Sequence, residues 1–311
     1  MDKDDILSDV FSTLRIDGEL YFRAVLAGDF SVELPAEHRR IRFHLVRRGR
    51  CWIGLHGAQP APLSEGDLAI VPNGAAQILS ADPGTTPHPL PEILATGALS
   101  DGVLTYGAGD RGATLVCGYC RFDEAIDHPL LTNLPPLLVM RPADLGAEPW
   151  TTAALNLLTL EADLDAQGTT GILGRLLEII FIQAVRRSVA ANGRPAGGFV
   201  AALADTHLSR ALAAVHRAPE KDWTIAGLAA EAGMSRAQFA ARFASMVGMA
   251  PIGYLTAWRL MKARALLVTS DLAMIDIAER CGYASVPSFS RRFTKAFGVG
   301  PGTFRRTAKT V

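Results

Sequence analysis

A chain of 311 residues with 49% hydrophobic content can bury more than one core, and two domains are expected. A formal net charge of zero, taken alone, argues against nucleic acid, and four cysteines are too few for a disulfide scaffold. The acidic start Met1-Asp2-Lys3-Asp4-Asp5 lacks the basic lead of a secretory signal, and no stretch nears ~20 unbroken apolar residues, so a cytoplasmic protein without a membrane partner is expected.

Residues 18–145 read as β structure. Short apolar runs such as Ile41-Arg42-Phe43-His44-Leu45-Val46, Leu68-Ala69-Ile70-Val71 and Thr114-Leu115-Val116-Cys117 alternate with Gly, Pro, Asn and Asp clusters. That cadence predicts an antiparallel barrel or sandwich. Pro and Gly concentrate at 81–110, which reads as a long loop. From Trp150 the texture turns helical, and Leu173, Leu176, Leu177, Ile180 and Ala184 form an apolar stripe at helical spacing. Packing between domains and a homodimer seam are both open readings of that stripe. Residues 191–198 (ANGRPAGG) are a linker by composition, and everything after Phe199 reads as helix.

Within that last third one helical sentence is written twice. The first copy runs Leu228-Ala229, Gly233, Phe239, Phe243, Gly248, Pro251, Tyr254; the second runs Ile277-Ala278, Gly282, Phe289, Phe293, Gly298, Pro301, Phe304. Each is a helix, a tight Gly turn and a second amphipathic helix, placing one helix-turn-helix at about 224–244 and another at about 274–297. In the first, Thr224 is the expected N-cap and Ser235 with Gln238 an expected capping box. Phe239, Phe243 and Val247 bury one face, leaving Arg236, Ala237, Ala240, Ala241 and Ala244 outward. Gln238 and Arg242 complete the expected DNA-facing set. Alanine methyls let a helix sit deep in the major groove and touch thymine methyls. In the second, Ser285, Val286, Pro287, Ser288, Ser290 and Arg291 are expected at the groove, with Arg291, Arg292 and Lys295 as a phosphate strip. No Ser or Thr caps the second scaffold helix; Ala273 stands there. A helix over 251–267, about 25 Å long at ~1.5 Å per residue, separates the two heads and suits major-groove faces roughly 34 Å apart. The zero net charge resolves accordingly: residues 235–311 hold twelve Lys/Arg against Asp271, Asp276 and Glu279, a net of +9 balanced by −9 in the rest.

Residues 203–306 resemble the DNA-binding domain of the AraC/XylS regulators, matching at Trp223-Thr224-Ile225, Gly233-Met234-Ser235-Arg236, Arg242-Phe243, Pro251, Trp258-Arg259, Gly282-Tyr283, Phe289-Ser290-Arg291 and Pro301. The resemblance implies a seven-helix domain that contacts adjacent major grooves of double-stranded promoter or operator DNA, with RNA polymerase a candidate partner. The segment Leu63 to Gln77 is similar to a cupin signature, and Leu115 to Tyr119, His128 to Leu131 and Leu134 to Leu137 are similar to cupin-type sensor domains of this family.

A cupin enzyme holds its metal with several imidazoles. Here Gln77 occupies the position usual for His, and His44 has no second His two residues away, so no metal and no cofactor are expected. His44 reads as a hydrogen-bonded barrel residue and, with Gln77, as the candidate lining of an effector pocket. His38, His56, His88 and His128 read as loop or turn residues. Cys117-Gly118-Tyr119-Cys120 is a candidate redox pair, but in a strand residues i and i+3 face opposite ways. Cys51 and Cys281 read as structural.

The expected architecture is α+β: an antiparallel cupin-like barrel (1–145), linker helices with a dimerisation role (146–198) and an all-α DNA-binding domain with two helix-turn-helix motifs (199–311). The expected function is sequence-specific transcription regulation by a homodimer that senses a small effector or redox signal. It is not expected to be an enzyme. A cupin metalloenzyme with a helical appendage is the alternative, and a regulator acting by partner binding alone a third reading.

Overall fold

The structure, a computed structural model, describes residues 5–14, 16–122, 128–142, 149–164, 166–190 and 198–308. The linker stretch 191–197 and the expected boundary near 145 lie outside the described residues. The chain forms two compact units that are not contiguous in sequence. One comprises Ile16–Phe122 and Leu134–Arg187; the other comprises Met1–Arg15, Asp123–Asn133 and Ser188–Val311.

The first unit is a curled β-sheet backed by two helices. Its strands are β1 (Asp17–Ala27), β2 (Ser31–Leu34), β3 (Arg40–Leu55), β4 (Ala61–Ser64), β5 (Leu68–Val71), β6 (Gln77–Ser80), β7 (His88–Pro89), β8 (Leu99–Ser100), β9 (Val103–Gly107), β10 (Gly112–Arg121) and β11 (Leu138–Met140). The main path is β7-β2-β6-β3-β10-β1-β9-β8, with β4 and β5 on β3 and β11 on β5. Most pairings are antiparallel as expected, but β1/β9 and β2/β7 are parallel, so the sheet is mixed.

The stretch 81–110 is correspondingly more ordered than its Pro and Gly content predicts. It holds β7, helix α2 (Leu90–Ala95), β8 and β9. Leu90 and Ile93 anchor α2 by burial, and Asp101-Gly102, both at positive φ, turn β8 into β9. Glycine and proline here set turns between short elements.

Strand β3 is buried on both faces from Ile41 to Val46, which explains its continuous apolar run. Phe43 meets Phe181 edge-on at 6.4 Å; Phe181 belongs to α5 (Thr169–Ala190), which follows α4 (Pro149–Asp163). Helix α5 lies against β1 where Gly18 and Gly174 meet, and a Cβ on either glycine would overlap the other's carbonyl. On the inner side Phe22, Leu26, Val46, Ile53, Leu79, Leu115 and Cys117 share one core.

The second unit is helical. The N-terminal helix α1 (Ile6–Leu14) and the short α3 (Pro129–Thr132) join α6 (Phe199–Ala204), α7 (Leu208–Arg217), α8 (Ile225–Ala232), α9 (Arg236–Val247), α10 (Pro251–Thr269), α11 (Met274–Arg280), α12 (Val286–Phe297) and α13 (Pro301–Ala308). Helix α10 is the spine, and its 19 residues span about 28 Å. Leu260, Ala263 and Leu267 on it enter the core of the second head. Tyr254, also on α10, packs 5.9 Å from Phe243 of the first head.

A buried polar chain ties α1 and the residue before α3 to this spine. Asp9 Oδ2 lies 2.9 Å from His216 Nδ1; because a carboxylate only accepts, that nitrogen carries the proton. His216 Nε2 then accepts from the Tyr254 hydroxyl at 2.7 Å. His128 Nδ1 accepts from the Leu130 amide at 3.1 Å, so its Nε2–H points at the same hydroxyl, 3.4 Å away. Burial lowers His128 to about 3, with His216 adding to the effect. His216 is also lowered by burial, against the pull of Asp9. Both rings are therefore neutral, as this donor order requires. His128 is a loop residue, as its sequence context suggests, but it caps α3 and is a buried member of this network.

Candidate nucleic-acid interface

The first head is built by its caps. Thr224 Oγ1 accepts from the Gly227 amide at 3.0 Å and starts α8; Gly233, in the left-handed region at φ 64°, ends it. Ser235 then caps α9, its Oγ accepting from the Gln238 amide at 3.4 Å. The reciprocal half of the expected capping box differs: Gln238 Oε1 accepts from the Ser235 hydroxyl at 2.9 Å. The hydroxyl offers a proton that the side-chain oxygen takes, so Gln238 is engaged in capping.

Phe239, Phe243 and Val247 are buried, the two rings 5.5 Å apart. Arg236, Ala237, Gln238, Ala241, Arg242 and Ala244 are exposed and Ala240 half-buried. Arg242 nevertheless ion-pairs with Asp205. That carboxylate also accepts the amides of His207 and Leu208 at 3.0 and 2.9 Å. Burial opposes ionisation of Asp205, but the Leu208 amide, Arg242 and the His207 amide together hold it below the usual carboxylate range. The Arg242 guanidinium therefore orders the α6–α7 junction in the free protein.

The second head repeats the plan. Ala273 precedes α11 without a side-chain cap, as its sequence predicts. Gly282 turns at φ 71°, and Ser285 Oγ accepts from the Ser288 amide at 3.4 Å to start α12. Phe289 and Phe293 are fully buried with ring centroids 5.6 Å apart. Pro287, Arg291, Arg292 and Lys295 are exposed, while Ser285, Ser288 and Ser290 are half-buried. Val286 departs from the outward placement expected of it: it packs partly against the Phe289/Phe293 core. A β-branched apolar side chain beside that core gains more from burial than from solvent. Among the described residues Arg236, Arg291 and Lys295 take part in no recorded ion pair, so their charges are available to an anionic partner.

In the β unit, His44 and Gln77 are both inside. His44 Nδ1 lies 3.1 Å from the Cys117 thiol across the β3/β10 pairing. Burial first and the Arg42 guanidinium second lower His44 to about 3, while the neighbouring Gln77 amide acts the other way. The Gln77 amide is the neighbour that interacts with His44, although neither it nor His44 Nε2 completes a bond of full hydrogen-bond geometry. Cys117 and Cys120 sit on opposite faces of β10. The first is in the inner core; the second is buried within the electrostatic reach of Glu178. Burial pushes both thiols well up, leaving little thiolate. Cys51 is pushed up to about 12 by burial and Asp67, and Cys281 to about 12 by burial.

Among the described residues no three His, Cys, Asp or Glu side chains converge in a metal-holding group. The donors inside the sheet do not fit the imidazole-rich metal of cupin enzymes, since an amide and a thiol stand beside the one histidine. No described helix is long and apolar enough to cross a membrane.

Comparison with known proteins agrees with both halves. The cupin family matches residues 5–190 and a helix-turn-helix domain family matches residues 228–307. A putative AraC-like transcription regulator of Streptomyces lividans is 32% identical over 97% of this chain and 98% of its own. The HTH-type transcriptional regulator AlkR of Acinetobacter baylyi is 30% identical over 97% of this chain and 99% of its own. The crystal structure of the DNA-binding domain of AdpA in complex with a target DNA is 32% identical, covering 34% of this chain and 96% of that one, with a TM-score of 0.33.

Proposed function

Given that this chain belongs to the AraC-like transcription regulators, with a cupin domain before a helix-turn-helix DNA-binding domain, we propose that α9 and α12 are its two reading helices. The observation that carries this is the matched pair of buried anchors, Phe239/Phe243 and Phe289/Phe293, each leaving a capped helix with its opposite face in solvent. On α9 that face is methyl-rich, with Arg236 at its start; on α12 it is basic, with Arg291, Arg292 and Lys295 placed for phosphates. Arg242 joins the contact set if DNA draws it from Asp205.

We also read the cupin unit as the sensor of a small polar molecule. His44 and Gln77 are buried polar side chains close enough to interact with each other, and they are the polar groups inside the sheet that such a molecule would meet. This favours ligand sensing over a Cys117/Cys120 redox pair, whose sulfurs lie on opposite faces. The stripe that the spacing offered as a seam is buried at Leu173, Leu177, Ile180 and Ala184; α4, α5 and the segment between them instead expose Leu157, Leu160, Leu164, Ile172 and Ile179, which we read as the seam of a homodimer. The chain works as a regulator and not as a metalloenzyme on this reading. In vitro selection of duplexes by the full-length protein tests it: two conserved boxes about one helical turn apart are expected, and selection of no sequence overturns it.

A further inference from the structure

We propose that Arg259 is a positioning residue that sets the spacing between the two reading heads. The proposal rests on the assignment of α9 and α12 above. Arg259 lies near the middle of α10 and is half-buried. Its Nε donates to the Pro219 carbonyl at 2.6 Å and its Nη2 to the Lys221 carbonyl at 2.9 Å. Those carbonyls belong to the turn that delivers the chain to Thr224, the cap of the first head. The turn is internally braced: Trp223 Nε1 donates to Ala218 O at 2.9 Å, and the Lys221 ammonium sits 4.1 Å from the Trp223 ring.

The same guanidinium lies against the turn of the second head. A Cβ built on Gly282 would stand 2.5 Å from Nη2 and 2.6 Å from Cζ of Arg259, so any larger residue there would displace the guanidinium. At the equivalent glycine of the first head, Gly233, the nearest side-chain atom is 3.6 Å away. The charge of Arg259 also reaches Cys281 and Tyr283, the residues on either side of Gly282. One planar fork therefore bonds two carbonyls of the approach to one head while packing against the turn of the other, which a lysine with a single nitrogen cannot reproduce.

Bipartite binding gains from pre-set spacing because the second head then meets its box at high effective concentration. A bracket that fixes spacing also penalises DNA whose boxes are misphased. The test uses the full-length protein and a two-box duplex selected by it from a random pool. One base pair is then inserted between the boxes, rotating one by about 34° relative to the other.

The wild type is expected to lose roughly tenfold in affinity on insertion. Arg259→Ala is expected to keep its single-box affinity within about twofold, lose roughly tenfold on the two-box duplex, and show less than about a threefold insertion penalty. Arg259→Lys keeps the charge on a single nitrogen without the planar fork and is expected to fall between, and it carries the test if the alanine variant does not fold. An unchanged insertion penalty in both variants overturns the proposal. So does a loss shared equally by single boxes with the salt slope reduced by about 0.9, which marks a plain phosphate contact. A wild type with no two-box preference overturns instead the assignment of the reading helices.

Discussion

Replacing Tyr254 by Phe isolates one hydroxyl at the centre of the DNA-binding unit. The ring is 1% exposed and its packing on Phe199 (5.8 Å) and Phe243 (5.9 Å) survives the change. What disappears is the donor to His216 Nε2 at 2.7 Å and the acceptor for His128 Nε2 at 3.4 Å. The second contact is at the edge of hydrogen-bond range and contributes little. The first leaves a buried imidazole nitrogen without a partner, at about 1–3 kcal/mol. A loss near ~2 kcal/mol is therefore expected in urea unfolding followed by tryptophan fluorescence, since Trp258 lies 4.1 Å from the His216 ring. Asp9→Ala should couple to it, because both partners act through the two nitrogens of one ring. A destabilisation below ~0.5 kcal/mol, the scale of a surface change, or strict additivity with Asp9→Ala, would refute the donor order assigned to this chain.

Four further outcomes are expected. Ala241→Glu places an acid on the exposed methyl face of α9 and should reduce DNA affinity at least tenfold with an unchanged thermal midpoint, measured by fluorescence anisotropy and calorimetry. Arg291→Ala should weaken binding to all sequences and lower the log–log salt slope by about 0.9. Acidification should destabilise both units: His44 and His128 stay neutral when folded, at about 3 against an ordinary 6.5, so the unfolded chain takes up the proton first. Stability is then complete above pH 6.5, and by pH 5 each histidine costs about 2 kcal/mol, visible as a falling urea midpoint between those values. Leu160→Glu, at an exposed position on α4, should shift the protein from dimer to monomer in sedimentation velocity.

The helical third was largely legible because its signals are local. Thr224, Ser235 and Ser285 cap the helices they precede, and each phenylalanine pair falls on the face its spacing dictates. The divergence of Cys117 and Cys120 likewise follows from strand periodicity alone. What escaped was long-range. His128 and Tyr254 are 126 residues apart and Asp9 and His216 are 207 apart, so no spacing in the sequence hints that they meet. For the same reason the assignment of α1 and α3 to the helical unit was invisible. Composition misled at 81–110, where Pro and Gly build turns around α2, and at Arg242, whose acidic partner Asp205 lies 37 residues away at the α6–α7 junction. The parallel β1/β9 pairing also escaped, because strand patterns carry no direction.

The most direct measurement is a hydroxyl-radical footprint of the full-length protein on its selected duplex. Two protected patches on one face of the DNA, about 10 base pairs apart, are expected, with Ala241→Glu erasing one and Arg291→Glu the other. A single patch, or two patches lost together in either variant, would contradict a chain that reads DNA with two separate helices.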